Sequence, residues 1–263
     1  MCGVNHRPLI LIPSYNPGMR VVETVKGARR FEAPVWMVSD GSTDGSNRAV
    51  LELFGSDPFF RLLCSPHNGG KGAAVFLGLT EAHSQGFTHV LTLDADGQHP
   101  TEEIPNFIRL SKHHPDAMIL GQPCFGGDAP PIRVQGRKIS NAWACLETLN
   151  PKLGDSLFGF RLYPLAPLLA VMRDNRWMRG FDFDPEALVR LTWRGVPSRQ
   201  IDCAVRYPSA AEGGVSHFRY GRDNLRLIFM HLRLILEMPS AVIPMCWRLA
   251  ARGHGKNREE PDL

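Results

Sequence analysis

The chain has no paired cysteines, no strong net charge and no apolar run of bilayer-spanning length, and each absence removes a class of protein. Its six cysteines, Cys2, Cys64, Cys124, Cys145, Cys203 and Cys246, are scattered, with no Cys-x-x-Cys and no histidine at metal-ligand spacing. They read as free thiols of a reducing compartment, which excludes a disulfide framework or a zinc knuckle. The formal net charge of +4 is too small to argue for a phosphate backbone, so nucleic acid is not expected as a partner. Near the N-terminus only Leu9–Pro13 is apolar, too short and too proline-broken for a secretory signal, and a cytoplasmic location follows. In the C-terminal region the longest uncharged run, Met238–Trp247, is ten residues with two prolines. A span needs about 20, so this region is expected not to cross a membrane.

Two glycine signatures are absent as well. The first turn reads Pro13-Ser-Tyr15-Asn16-Pro-Gly18 where a dinucleotide fold requires Gly-x-Gly-x-x-Gly. In Ser65-Pro-His-Asn68-Gly69-Gly70-Lys71-Gly72 a serine replaces the first glycine of a Walker loop, and a glycine follows the lysine where Ser or Thr belongs.

What is present is a repeated alternation of short apolar runs and helical patterns. Pro8–Pro13, Val35–Val38, Arg61–Cys64, the run ahead of Asp94 and Ala117–Gly121 read as five buried strands. Helices are expected from Met19 to Arg30, after a cap at Asp44, up to Gln85, and over Thr101–His113, Arg133–Leu149 and Asp184–Arg194. This is the βαβ rhythm of an α/β protein, a doubly wound, mainly parallel sheet with helices on both faces. Residues 1–221 are expected to form that domain, and 222–263 a basic amphipathic helical extension with a disordered tail. Tyr15, Asn16, Asp40, Lys71, Asp94 and Asp96 then share the rim at the strand carboxyl ends, where such sheets bind ligands.

The informative stretch is Thr88–Pro100, where a buried strand runs into Asp94-Ala-Asp96-Gly-Gln98-His99-Pro100. Two carboxylates one residue apart repel and raise each other's pKa, so the pair is suited to holding a cation. Mg²⁺ or Mn²⁺ bridging to a diphosphate fits hard oxygen donors; a plain loop and helix cap is the competing reading. An EF-hand loop would place its glycine at His99, two residues later than Gly97. Lys71 reads either as a phosphate contact or as a solvated turn lysine.

Pro13-x-Tyr15-Asn16, Asp40-Gly-Ser-Thr-Asp44-Gly, Asn68-x-Gly-Lys71-Gly and Asp94-Ala-Asp96-Gly-Gln98-His99-Pro100, in that order, resemble the family 2 glycosyltransferases. The likeness is to the branch of dolichyl-phosphate mannose synthases and polyprenyl-phosphate glycosyltransferases. It continues more loosely through Asp155-Ser-Leu-Phe-Gly159-Phe160-Arg161 and Gly214-Val-Ser216. The resemblance implies a GT-A fold, a nucleotide-sugar donor, a divalent metal, inversion at the anomeric carbon and a lipid-linked acceptor. By the same likeness Pro13, Tyr15, Asn16, Asp40 and Asp44 line the nucleotide pocket, and Asp94, Asp96 and Gln98 address metal and diphosphate. Arg161 and Ser216 then fall on the acceptor side. The chain departs from the branch at Pro17, at Ser39, at Gln122-Pro123 where the branch has Ser-Arg, and at His217 where it has Lys; the last two changes remove cations that would meet a lipid phosphate.

Gly126–Pro131 reads as a mobile loop, and the helix after it carries Arg133, Arg137, Lys138 and Ser140 near its start, as an anionic-acceptor site or as a solvated face. A phosphate acceptor needs no protein base, whereas a hydroxyl acceptor does; Asp184 is the candidate base, with Asp155 behind it. Leu225, Ile228, Phe229, Leu232 and Leu236 share one helical face and Arg226, Met230, Arg233 and Glu237 another. Such a segment lies either on the domain's own surface or peripherally on the anionic inner face of the cell membrane. The rival functions are a degenerate nucleotide-sugar-binding module and a sugar-phosphate nucleotidylyltransferase. The latter requires an arginine-containing glycine-rich loop after the first strand, which Pro13–Gly18 does not supply.

Overall fold

The computed structural model describes residues 6–124, 131–205 and 220–256. Among them, one sheet contains β1 (Pro8–Ser14), β2 (Val35–Asp40), β3 (Phe60–Ser65), β4 (His89–Thr92), β5 (Met118–Cys124), β6 (Arg161–Pro164) and β7 (Ser198–Ala204). The helices are α1 (Arg20–Ala28), α2 (Ser46–Phe54), α3 (Lys71–Ser84), α4 (Ile104–His113, entered through a 3₁₀ turn at Thr101–Glu103), α5 (Pro131–Thr148), α6 (Leu165–Asp174), α7 (Phe183–Trp193) and α8 (Tyr220–Lys256). The strand order is β3-β2-β1-β4-β6-β5-β7, with β6 antiparallel to both neighbours and the other pairs parallel.

The five expected strands are present within a few residues. β6 and β7 were not expected, because β6 opens on arginine and closes on proline, and β7 reads Ser-Arg-Gln-Ile-Asp-Cys-Ala. Neither carries the apolar run that marks a buried strand in sequence. Along β1 the pleat sends Leu9 and Leu11 into a core under α3, α6 and α7, and Ile10 and Ile12 into a second core under α1 and α4. Burial on both faces explains the continuous rather than alternating apolar run. Because β2 and β3 lie to one side of β1 and β4 to the other, the connections part between β1 and β4 and open a crevice at their carboxyl ends.

The cysteines that are described, Cys64, Cys124, Cys145 and Cys203, are unpaired, and burial pushes the Cys203 thiol up to about 12. The loop Gly126–Pro131 falls largely outside the described residues, as do Gly214 and Ser216.

Helix α8 packs against α5 and α7 with a mixed face, Met230 and Leu234 entering the core beside His231, Arg233 and Glu237. Glu186 of α7, fully buried, accepts from Arg190 Nε at 2.7 Å and from Arg233 of α8; Arg190 Nη1 reaches Glu237 of α8 at 2.7 Å. On the α5 side, His231 Nδ1 meets Glu147 Oε1 at 2.7 Å. The apolar face points outward: Leu225, Ile228, Phe229, Leu232 and Leu236 are all more than half exposed. Ile139, Trp143 and Leu146 on neighbouring α5 are exposed too. The expected size of this element needs correction. By length and composition alone, Asp223–Pro244, 22 residues of mean hydropathy 1.4, is long and apolar enough to cross a bilayer, because isolated charges interrupt the apolar run without lowering its average much.

Removing Glu186 takes the buried carboxylate from two guanidinium groups and leaves them only the half-exposed Glu237 to share. Glu186→Ala is expected to lower the unfolding free energy by about 3–5 kcal/mol, read as a reduced urea midpoint; an unchanged midpoint would mean that α8 is held otherwise.

Candidate active site

The parallel register aligns Ser14 with Ser39, and Asp40 with Ser65, while the Leu93 amide bonds the Leu11 carbonyl. The chain ends that follow β1, β2, β3 and β4 therefore meet on one rim. Asp40 is only 3% exposed, and its two oxygens accept the Gly69 and Gly70 amides at 3.0 and 2.7 Å. Gly70 has φ +98°, and a Cβ there would stand 2.4 Å from the Arg179 carbonyl, so no side chain fits. The next amides, Gly72 and Ala73, bond the carbonyls of Gly180 and Arg179 at 3.2 and 3.0 Å.

This anchored loop delivers Lys71. Its ammonium lies 2.6 Å from Asp94 Oδ1 and 2.7 Å from Asp184 Oδ2, joining the end of β4 to the start of α7. Burial alone would lower the lysine pKa, but Asp184 and Asp94 outweigh it and hold the group charged. For Asp94 burial acts upward, yet Lys71 and His99 bring its carboxyl below the ordinary range. Asp96 goes the other way, raised by burial and then by the charge of Asp94. Asp184 Oδ1 is buried without a hydrogen-bond partner. Backbone passes directly over the ion pair: a Cβ on Gly159 would stand 2.5 Å from Lys71 Nζ.

His99 completes the floor and was not singled out from sequence. Its Nδ1 accepts the Asp94 amide at 3.1 Å, which leaves the proton on Nε2, 3.5 Å from Asp94 Oδ2. The ring stacks on Phe160 and meets Phe158 edge-on, and burial lowers its pKa. The signal was its place in the Asp94–Pro100 stretch, where histidine and turn residue look alike.

A family model described as Glycosyl transferase family 2 matches residues 9–169. The chain belongs to glycosyl transferase family 2. It is 29% identical to a dolichyl-phosphate beta-glucosyltransferase of Trichomonas vaginalis over 68% of this chain and 59% of the relative. To the polyprenol monophosphomannose synthase of Mycolicibacterium smegmatis it is 26% identical, over 72% of each. The fold is that of glucosyl-3-phosphoglycerate synthase from Mycobacterium tuberculosis, solved with Mn²⁺, UDP and glucosyl-3-phosphoglycerate, at TM-score 0.58 and 15% identity over 92% of this chain and 80% of that one.

Within this family 2 domain several expected ligand contacts are engaged with the protein itself. Asn16 Oδ1 accepts the Thr43 amide at 2.7 Å, and Asp44 accepts from Gly18 at 2.7 Å and from the Ser46 amide at 3.1 Å, so both stitch the first two rim loops together. The expected cap at Asp44 is displaced by one residue: Gly45 is the N-cap of α2, and Asp44 holds the Ser46 amide from just outside it. Tyr15 stands exposed on the rim, Pro13 is buried beneath it, and Gln98 donates its backbone amide to Asp96 Oδ1 at 3.0 Å.

On the acceptor side the geometry corrects the reading more strongly. Arg161 has no exposed surface; its guanidinium donates to the Phe158, Asp155 and Asp184 carbonyls and to the Tyr163 hydroxyl. Arg137 pairs with Asp155 at 2.8 Å, and the same carboxylate accepts the Leu157 and Phe158 amides and the Asn141 side chain. Ser140 is buried between Ser156 at 3.0 Å and His231 at 3.3 Å. Charge and short polar side chains alone do not tell a strut from a ligand contact.

Arg161→Lys keeps the charge but not the fork that reaches four acceptors. It is expected to lower stability by about 3 kcal/mol, seen as a lower thermal midpoint, because buried carbonyls lose their donors; an unaltered midpoint would return Arg161 to an open role.

Proposed function

We propose that this enzyme moves a sugar from a nucleotide donor to a polyprenyl phosphate, with a divalent cation at Asp94 and Asp96 and inversion at the anomeric carbon. The observation that carries this reading is the carboxylate pair at the switch crevice, in a chain whose relatives are named for dolichyl-phosphate and polyprenol substrates. The residues fit a hard cation: Asp96 is a half-buried carboxyl crowded by Asp94, and Asp184 Oδ1 is a buried oxygen with no partner. Among the described residues no three His, Cys, Asp or Glu side chains stand ready for a metal. Diphosphate oxygens would then complete the shell, as is usual for Mg²⁺. Bound there, the cation would stabilise the charge of the departing diphosphate.

The chain's own residues do the rest. Tyr15 and the stitched rim loops border the nucleoside, and the loop fixed by Asp40 orients Lys71 toward the diphosphate. A polyprenyl phosphate is already ionised near pH 7, its second pKa being about 6, so no protein base is required. Asp184, bonded to Lys71, then serves as an electrostatic anchor rather than a base, and Asp155, saturated by donors, holds the wall of the site. The outward apolar face of α8 supports peripheral docking on a membrane, where the acceptor resides and where exposed leucine and phenylalanine are buried favourably.

Two measurements test this. With polyprenyl phosphate and a panel of labelled UDP- and GDP-sugars, transfer is expected in Mn²⁺ and lost in chelator, and Asp96→Asn should reduce turnover by about 10²–10³. Transfer only to hydroxyl acceptors would overturn the acceptor assignment. Wild-type protein is expected to co-sediment with anionic liposomes, and the Leu232→Glu, Leu236→Glu double variant to stay soluble; equal binding of the two would remove the α8 face from membrane contact.

A further inference from the structure

Building on the metal-dependent reading, we infer that Lys71 is the resident counter-ion of the cation site, excluding a free divalent ion until a nucleoside diphosphate arrives with it. The ammonium occupies the gap between Asp94 and Asp184, 2.6 and 2.7 Å from their oxygens. Its side chain is 11% exposed, that of Asp184 6% and that of Asp94 29%, so bulk water screens the contact with Asp184 little and that with Asp94 only in part. A divalent ion approaching Asp94 alone would share a carboxylate with a fixed positive charge, and at such spacing like charges repel by several kcal/mol even at an effective dielectric of about 20.

A diphosphate changes this balance. Its oxygens offer the ammonium an alternative anionic partner, and Asp94 becomes available to the cation as Lys71 turns to the phosphate. Lys71 has little other freedom: its backbone is pinned by Gly70 and the α3 amides, and the Gly159 backbone closes one side. The unpartnered Asp184 Oδ1 shows that the anchor carries anionic capacity beyond what Lys71 uses. When the diphosphate leaves, the lysine returns to its two carboxylates and the cation loses its place. Donor and cation thus bind as one unit, and the empty site is closed to adventitious metal.

The test is Mn²⁺ binding followed by EPR on full-length protein, without nucleotide and then with saturating UDP or GDP. Lys71→Met is expected to bind Mn²⁺ without nucleotide at least about tenfold more tightly than wild type, and Lys71→Arg, which keeps the charge, to resemble wild type. Mn²⁺ is further expected to raise the thermal midpoint of Lys71→Met more than that of wild type, since the cation replaces the missing charge. Lys71→Gln, whose amide still bonds both carboxylates, gives the same comparison should the Met variant not fold. Equal or weaker nucleotide-free Mn²⁺ affinity in the neutral variants overturns the inference. Failure of wild type to bind Mn²⁺ even with nucleotide overturns instead the metal reading on which it rests.

Discussion

The buried contact of Lys71 with Asp94 and Asp184 is the constraint from which the rest of the site follows. It joins the turn just after β4 to the first turn of α7, and Asp40 fixes the glycine loop that delivers Lys71 to it. Arg161 supports the other side, bonding the carbonyls of Asp155, Phe158 and Asp184 from beneath. Buried charges persist only when paired and hydrogen-bonded, so each of these residues depends on the next. The site is thus a connected polar network at the one place where the sheet's connections diverge.

Much of this was legible in the chain. Strands β1 to β5 announce themselves as apolar runs, and the carboxylates of Asp94 and Asp96 stand out because strands seldom end in Asp-x-Asp. What was not legible depends on tertiary neighbours. β6 hides because its first residue, Arg161, is charged in sequence and buried in the fold, a combination that only the carbonyls of residues 155–184 make tolerable. Asp155 and Arg137 read from the sequence as separate pieces of chemistry, a reserve base and an acceptor contact, and are ion-pair partners in the fold. Lys71 could be placed on the rim from its glycine context, but not aimed; its two partners lie 23 and 113 residues further along the chain.

Helix α8 shows the same limit from the other direction. Its sequence separates an apolar face from a charged one, and the ordinary expectation is that the apolar face packs inward. Here Arg233 and Glu237 find Glu186 and Arg190 on α7, and the ion pairs take the inner side. Leu225, Phe229, Leu232 and Leu236 are left to the outside, beside the exposed Ile139 and Trp143 of α5, while Met230 and Leu234 pack inward beside the ion pairs. A helix arranged this way leaves half of its apolar surface unburied within the domain, which is favourable only where something else covers that surface.

The most direct test of the central claim is anomalous diffraction from crystals grown with Mn²⁺ and the nucleoside diphosphate that most raises the melting temperature. An anomalous peak is expected in coordination contact with Asp96, with Asp94 released from Lys71 and the lysine turned to the diphosphate. A nucleotide seated on the rim with no anomalous density beside Asp94 or Asp96, and Lys71 still on its two carboxylates, would contradict it.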